Sequence, residues 1–230
     1  MTELPDPQSQ RADGVWSPAV TAAAEGVRRA TAADAALVTD ILVEAFGEDQ
    51  MWGPRAFPDP RTRRQYRRFV FGLLVEGAMR YPWVWVSADN AATALWIPPG
   101  GQELSPAQEQ EVDVVLHEAL GDRANAALHA FESFEAARPA EPHYYLTLLG
   151  TDPRRAGQGI GGRLLQSNLE ALDGEGAAAY LEAADELVPF YERFSFRRLT
   201  RFELDAGLTV NGMWRDPGPS TGRSSGLTDV

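Results

Sequence analysis

The sequence predicts one mixed α/β domain. Stretches of helical and of strand periodicity alternate along the chain, and 44% hydrophobic composition with 10% aromatics is that of a globular protein. A glycine-dense run, GQGIGG at 157–162, joins a strand to a helix, as mixed α/β domains do where they meet phosphate groups. At 230 residues the chain can bury one ordinary core. Residues 1–26 and 216–230 are rich in Pro, Gly, Ser and Ala without sustained periodicity, so they read as disordered tails around a domain at 27–215.

The elements follow in order. After Val27 a short strand begins, and Thr31 then reads as the N-cap of a helix carrying Leu37, Ile41, Leu42 and Ala45 at helical spacing. The breaker-rich loop GEDQMWGPRAFPDP leads to a second helix from Arg61 to Met79, whose basic opening RTRRQYRR is a solvated face. WVWVSAD and ATALWIPPGG are strands around a turn at Asp89 and Asn90. Ser105 as N-cap, Pro106 at the first helical position and Gln108 closing a capping box mark a strong helix start. Asp122 starts a further helix through Leu128, Phe131 and Phe134. These two helices stand before the strand HYYLTLLG. Ile160 to Leu172 is a helix with Ile160, Leu164, Leu165, Leu169 and Leu172 on one face. AAAYLEA is the next strand, LVPFYERF a short helix, and RRLTRFEL and VNGMWRD the last two strands.

Composition removes several classes of chemistry. With no Cys there are no disulfides, thiolate nucleophiles or Cys-ligated metals, and no metal is assigned. All 21 basic residues are Arg, set against 33 acidic ones, and a net charge of -12 opposes general attraction to nucleic acid. No stretch approaches the roughly 18 apolar residues of a membrane span and no secretory leader opens the chain, so a cytoplasmic location is expected.

The glycines admit more than one phosphate compound. Gly157, Gly159 and Gly162 satisfy G-x-G-x-x-G, yet a dinucleotide turn places its first glycine at the strand end, and here 151–156 intervenes after Gly150. A Walker loop needs a Lys, and the chain has none. What remains is strand, short arm, glycine loop, helix, strand, aromatic helix, strand. In that order HYYLTLLGTDPRRAGQGIGGRLL and AAYLEAADELVPFYERFSF resemble the GNAT superfamily of acetyl-CoA-dependent N-acetyltransferases, with puromycin-type small-molecule acetyltransferases among the similar members. The resemblance covers most of 27–215 and is strongest from Tyr144 to Phe196.

It implies a central mixed, mostly antiparallel sheet flanked by helices, and acetyl-CoA as cosubstrate. Backbone N–H groups of Gly157, Gln158, Gly159, Ile160, Gly161 and Gly162 would receive the diphosphate at the positive end of the next helix, beside Ala156. Leu149, Gly150 and Thr151 would run beside the pantetheine arm. Tyr191, in PFYERF, stands where the family keeps its general acid, a phenol that is protonated at neutral pH. Glu182 is the candidate proton acceptor, or else an ion-pair partner of Arg193; His143 is a second candidate base. Trp96, Tyr144 and Tyr145 would border the acceptor, and one side of WVWV, with Trp83 and Trp85, could line its pocket. The expected acceptor is a primary amine on a small molecule, an antibiotic among the possibilities. A protein N-terminus or lysine is the alternative, as is a sensor that binds acyl-CoA without turnover. The latter is suggested by Ala156 and Leu187, where the family commonly has polar residues. Ser195 replaces a usual Gly. A monomer or homodimer is expected.

Overall fold

The computed structural model describes residues 26–204 and 207–219. The two expected tails lie mostly outside the described residues. Among the described residues seven strands form one sheet, and six helices flank it. In spatial order the strands are β1 (Val27–Arg29), β2 (Val84–Ser87), β3 (Ala92–Ile97), β4 (Tyr144–Thr151), β5 (Ala179–Ala184), β7 (Leu208–Arg215) and β6 (Arg197–Leu204). Every neighbouring pair is antiparallel except β4 with β5. The sheet is therefore mixed and mostly antiparallel, as expected.

The six helices are α1 (Ala35–Ala45), α2 (Arg63–Ala78), α3 (Pro106–Leu120), α4 (Ala124–Ala137), α5 (Ile160–Gly174) and α6 (Val188–Glu192). The period of two along β2 sorts its side chains between two cores. Val84 and Val86 pack with α1 and α2, while Trp83 and Trp85 pack on the α5 side. Ile160, Leu164, Leu165, Leu169 and Leu172 of α5 all enter that second core, at roughly 1.5–3 kcal/mol for each large side chain fully buried.

Local signals set the helix starts. Ser105 Oγ accepts the Gln108 N–H at 3.3 Å and Gln108 Oε1 accepts the Ser105 N–H at 2.9 Å, the predicted capping box of α3. Thr31 and Asp34 form a box too, but it opens a 3-10 turn at Ala32–Asp34 that precedes α1. Asp122 likewise falls in a 3-10 turn, Gly121–Arg123, and α4 begins only at Ala124.

Two features open the sheet at its centre. The β3–β4 register steps from Leu95↔Leu148 to Trp96↔Leu146, leaving Thr147 as an extra residue, and such a bulge bends its strand. β4 then pairs with β5 only at Tyr144↔Ala179 and Tyr145↔Tyr180, whereas β5 stays on β7 as far as Ala184↔Val210. Asn211 Nδ2 donates to Ala183 O at 3.2 Å and to Asp185 Oδ1 at 2.9 Å, tying the end of β5 to β7. The C-terminal halves of β4 and β5 consequently diverge.

Candidate active site

On one side of the divergence stands the glycine loop. Beyond β4, Asp152 accepts the Arg154 N–H at 2.9 Å and starts a 3-10 turn, Pro153–Arg155, after which the chain reverses into α5. Gly157 and Gly159 hold φ of 75° and 71°, the left-handed region that glycine enters without penalty. A Cβ on Gly161 would lie 2.7 Å from Thr151 Oγ1, and one on Gly162 3.5 Å from the Phe194 ring. Three of the four glycines thus have a local reason of their own, while a Cβ on Gly162 would make only ordinary contact, so their number alone does not require a ligand.

The hydrogen-bond pattern does point to one. The N–H of Ala156 is held by Pro153 O at 3.2 Å and that of Arg163 by Gly159 O at 3.0 Å. Between them, among the described residues, the N–H groups of 157–162 donate to no carbonyl. They open a 15-residue helix, where orphan donors and the helix dipole together favour an anion such as a diphosphate. Arg163 leans over the loop, Nη1 donating to Gln158 O at 2.9 Å. Arg155, considered as a substitute for the polar side chain missing at Ala156, is committed elsewhere: it pairs with Asp89 at 2.9 Å and donates to Gln158 Oε1 at 3.0 Å. Gly150 is pressed by α1, with Ala45 Cβ 3.0 Å from where its own Cβ would be. This fixes the strand that leads from Leu149 to Thr151.

On the other side the divergence opens into a cleft of about 560 Å³, walled by β4, β5, α3 and α4. Glu182 of β5 lines it. Its Oε1 is buried and makes no hydrogen bond among the described residues. Burial drives its carboxyl up to about 7, against Arg138, whose positive charge favours ionisation, and lesser help from the Tyr145 and Tyr180 hydroxyls. A carboxylate half-ionised near neutrality is suited to accepting a proton from an ammonium. The guanidinium of Arg138 lies 3.7 Å from the centre of the Tyr145 ring and pairs with Glu103. Burial opposes its charge, but Tyr145, Glu103 and Glu182 outweigh this and raise its pKa. Thr147 Oγ1, at the bulge, is buried and unpartnered as well. Polar atoms left unpaired at such depth cost free energy unless a ligand completes them.

Tyr191 of α6 also lines the cleft. Its ring packs edge-to-face on Phe190 and Phe196 with centroids 5.0 and 5.9 Å away. Burial raises its pKa, so the phenol keeps its proton at neutral pH.

Several expected placements are corrected. Tyr145 lines the cleft, but Trp96 and Tyr144 do not, because strand alternation and the bulge turn them into the α5-side core. Trp96 Nε1 donates there to Asn168 Oδ1 at 2.9 Å, and the Tyr144 hydroxyl donates to Glu175 at 2.7 Å. Trp83 and Trp85 share that core and stack against Arg29, 4.4 Å from each ring; neither side of WVWV reaches the cleft. Arg193 lies over Phe190 rather than at Glu182, whose cationic neighbour is Arg138. His143 is half-buried outside the cleft, its Nδ1 2.7 Å from Glu141 O, and burial lowers its pKa. Arg138, Glu103 and Thr147 escaped sequence reading. Arg138 is a lone Arg in the breaker run ARPAEP, and only the return of α4 to β4 gives it a role.

Residues 124–215 match the family described as acetyltransferase (GNAT) domain. A solved structure from Corynebacterium glutamicum, described as histone acetyltransferase HPA2 and related acetyltransferase, is similar at 25% identity and TM-score 0.63, covering 86% of this chain and 98% of its own. Agmatine N-acetyltransferase is 14% identical with TM-score 0.57, and Drosophila melanogaster polyamine N-acetyltransferase 17% with 0.55; each alignment covers 83% of this chain and 98% of the other. Over residues 124–215 the chain is thus similar to the GNAT acetyltransferase domain, and together with the similar folds this makes the protein an acetyltransferase.

Proposed function

We propose that this acetyltransferase moves the acetyl group of acetyl-CoA to a primary amine on a small molecule. The observation that carries the reading is the divergence of β4 and β5. Unpaired backbone donors at the start of α5 stand on one side of it, a carboxylate with one buried, unpaired oxygen stands on the other, and a protonated phenol lines the opening. The donors of 157–162 would hold the diphosphate, with Arg163 at hand. Leu149, Gly150 and Thr151 would guide the pantetheine arm along β4, so that the thioester enters the gap. The amine arrives largely as an ammonium and gives a proton to Glu182, directly or through water. Its nitrogen lone pair attacks the thioester carbonyl and the N–C bond forms; as the C–S bond breaks Tyr191 protonates the departing thiolate, the second proton that the nitrogen sheds on becoming an amide returns to the Tyr191 phenolate through solvent, and Glu182 releases its proton to solvent. Arg138 tempers Glu182 so that burial does not keep it protonated throughout the neutral range.

Agmatine and polyamine N-acetyltransferases among the similar folds favour a small aliphatic amine. An amine-bearing antibiotic belongs to the same chemical class, in line with the resemblance to puromycin-type enzymes. The second reading is a basic peptide acceptor, favoured by the Corynebacterium neighbour described as a histone acetyltransferase. Among the described residues no helix is long and apolar enough to cross a membrane. A cytoplasmic location belongs to the same proposal.

Thiol release from acetyl-CoA across a panel of primary amines and lysine peptides tests the reading, with calorimetric titration of acetyl-CoA into wild type and Gly159→Val alongside. Amine-dependent release is expected. Valine at φ near 71° should weaken acetyl-CoA about tenfold or more by displacing the donors. Tight acetyl-CoA binding with no release for any amine would leave a sensor instead of an enzyme.

A further inference from the structure

Cleft-lining carboxylates outnumber what one ammonium needs. Seven acidic side chains line the cavity against a single guanidinium, Arg138, which is already paired with Glu103. Glu109 and Glu135 make no ion pair among the described residues. Among the described residues Asp113 and Glu132 pair only with histidines of their own helices, at 3.4 and 3.3 Å. Deeper in, the buried and unpartnered Oε1 of Glu182 marks the inner end of the site.

Helix α4 works as a ruler between the two ends. Leu128, Phe131, Glu132, Phe134, Glu135 and the residue just past its end, Arg138, all line the cleft, the i, i+3, i+4 spacing of one helical face. Arg138 marks the inner end, since its guanidinium lies over the ring of Tyr145, the last β4 residue paired with β5. A rise of 1.5 Å per residue puts Glu135 about 4.5 Å and Glu132 about 9 Å outward along the axis. α3 returns alongside with Glu109 and Asp113. Trp52 and Phe131, with ring centroids 5.7 Å apart, supply apolar wall in the same cavity.

We propose that the acceptor is a dication, a primary amine joined by an apolar spacer to a second positively charged group. The amine goes to Glu182, and the second charge is held by Glu132 and Glu135 of α4 with Glu109 and Asp113 of α3. This assignment rests on the acetyl-transfer reading of the same site. A monoamine satisfies Glu182 and leaves the outer carboxylates without a counter-ion, whereas a dication meets both ends and covers the aromatic wall between. A cleft lined mostly by carboxylates also raises the local concentration of such a molecule.

The test compares diaminobutane, diaminohexane and diaminooctane with the monoamines of equal length, in wild type and in the double variant Glu132→Gln/Glu135→Gln. Both side chains are exposed, so the variant should fold. Wild type should prefer the best diamine over its monoamine by about tenfold or more in kcat/KM, and the variant should lose most of that preference through KM. Titration of diaminohexane without acetyl-CoA should show binding that the variant weakens. Equal use of mono- and diamines by wild type, an unchanged preference in the variant, or a lysine peptide outrunning every diamine overturns the dication assignment. Should no amine release thiol while diamine binding still depends on Glu132 and Glu135, acetyl transfer falls and the dication site stands. Absence of both turnover and binding removes both.

Discussion

The glycine loop and the acidic cleft face each other across the same divergence of β4 and β5, yet they are made in opposite ways. The loop is one contiguous run that offers main-chain N–H donors, positioned by local backbone conformation and the start of α5. The cleft gathers Glu182 from β5, Tyr145 and Thr147 from β4, Arg138 from the end of α4 and Glu103 from the approach to α3. A backbone site holds a feature that every substrate of the reaction shares. A side-chain site, assembled from distant segments, can be changed one residue at a time, and in the proposed function it is where the acceptor is chosen.

That contrast separates the effects of substitutions. The largest is expected from Tyr191→Phe, which keeps the ring on Phe190 and Phe196 and removes only the proton donor. Single-turnover transfer should slow by about 10²- to 10⁴-fold, by the same factor for every amine, because the proton goes to the cosubstrate. A loss that varies steeply with the amine would place Tyr191 on the acceptor side; an unchanged rate would leave it as packing.

Glu182→Gln comes next and acts through pH. In wild type kcat/KM should rise as pH climbs through about 7, because the proton acceptor must be ionised. The variant should be most impaired below the amine pKa and partly rescued above it. Stability should move the other way. Folding lifts this carboxyl from 4.5 to about 7, so between those values the folded protein holds a proton that the unfolded chain has released. Stability therefore falls as pH rises across that window, by about 3 kcal/mol for a shift of this size. Glu182→Gln should accordingly melt higher than wild type at pH above about 8, with the gain vanishing near the acidic end. A pH-independent drop in Tm would mean that Glu182 serves the fold as an ion-pair partner.

The smallest effect belongs behind Tyr191, in the turn from α6 to β6. Ser195 sits at φ 67°, and its N–H and that of Phe194 bond back to Glu192 O and Tyr191 O at 3.0 and 2.9 Å. A left-handed Ser is strained where Gly would not be. Ser195→Gly should raise stability by about 0.5–1 kcal/mol, seen as a rise of about 2–4 °C in Tm at most. No gain would indicate that the added freedom of the unfolded chain offsets the relieved strain.

Elements whose signals are local were legible in the sequence. Short apolar or β-rich runs between turns marked all seven strands and a period-3.6 stripe marked α5, the capping box at Ser105 and Gln108 opened α3 where expected, and Asn90 takes φ 55° in the predicted turn. The glycine loop was legible for the same reason: consecutive residues create its backbone geometry. Tyr191 and Glu182 stood out only through their motif context and both line the cleft, which Trp96 and Tyr144 do not. Alternation says that neighbouring residues face opposite sides, but not which side holds the cleft. That depended on the Thr147 bulge and on where β4 parts from β5, which a one-residue register step decides. The sequence by itself determined the element order, the two apolar faces of the sheet and the run of free backbone donors. Only the tertiary structure decided that Arg138, 44 residues before Glu182, would stand beside it and that α3 and α4 would bring their carboxylates to the same cleft. Such pairings come from non-local packing, and no local pattern of residues encodes them.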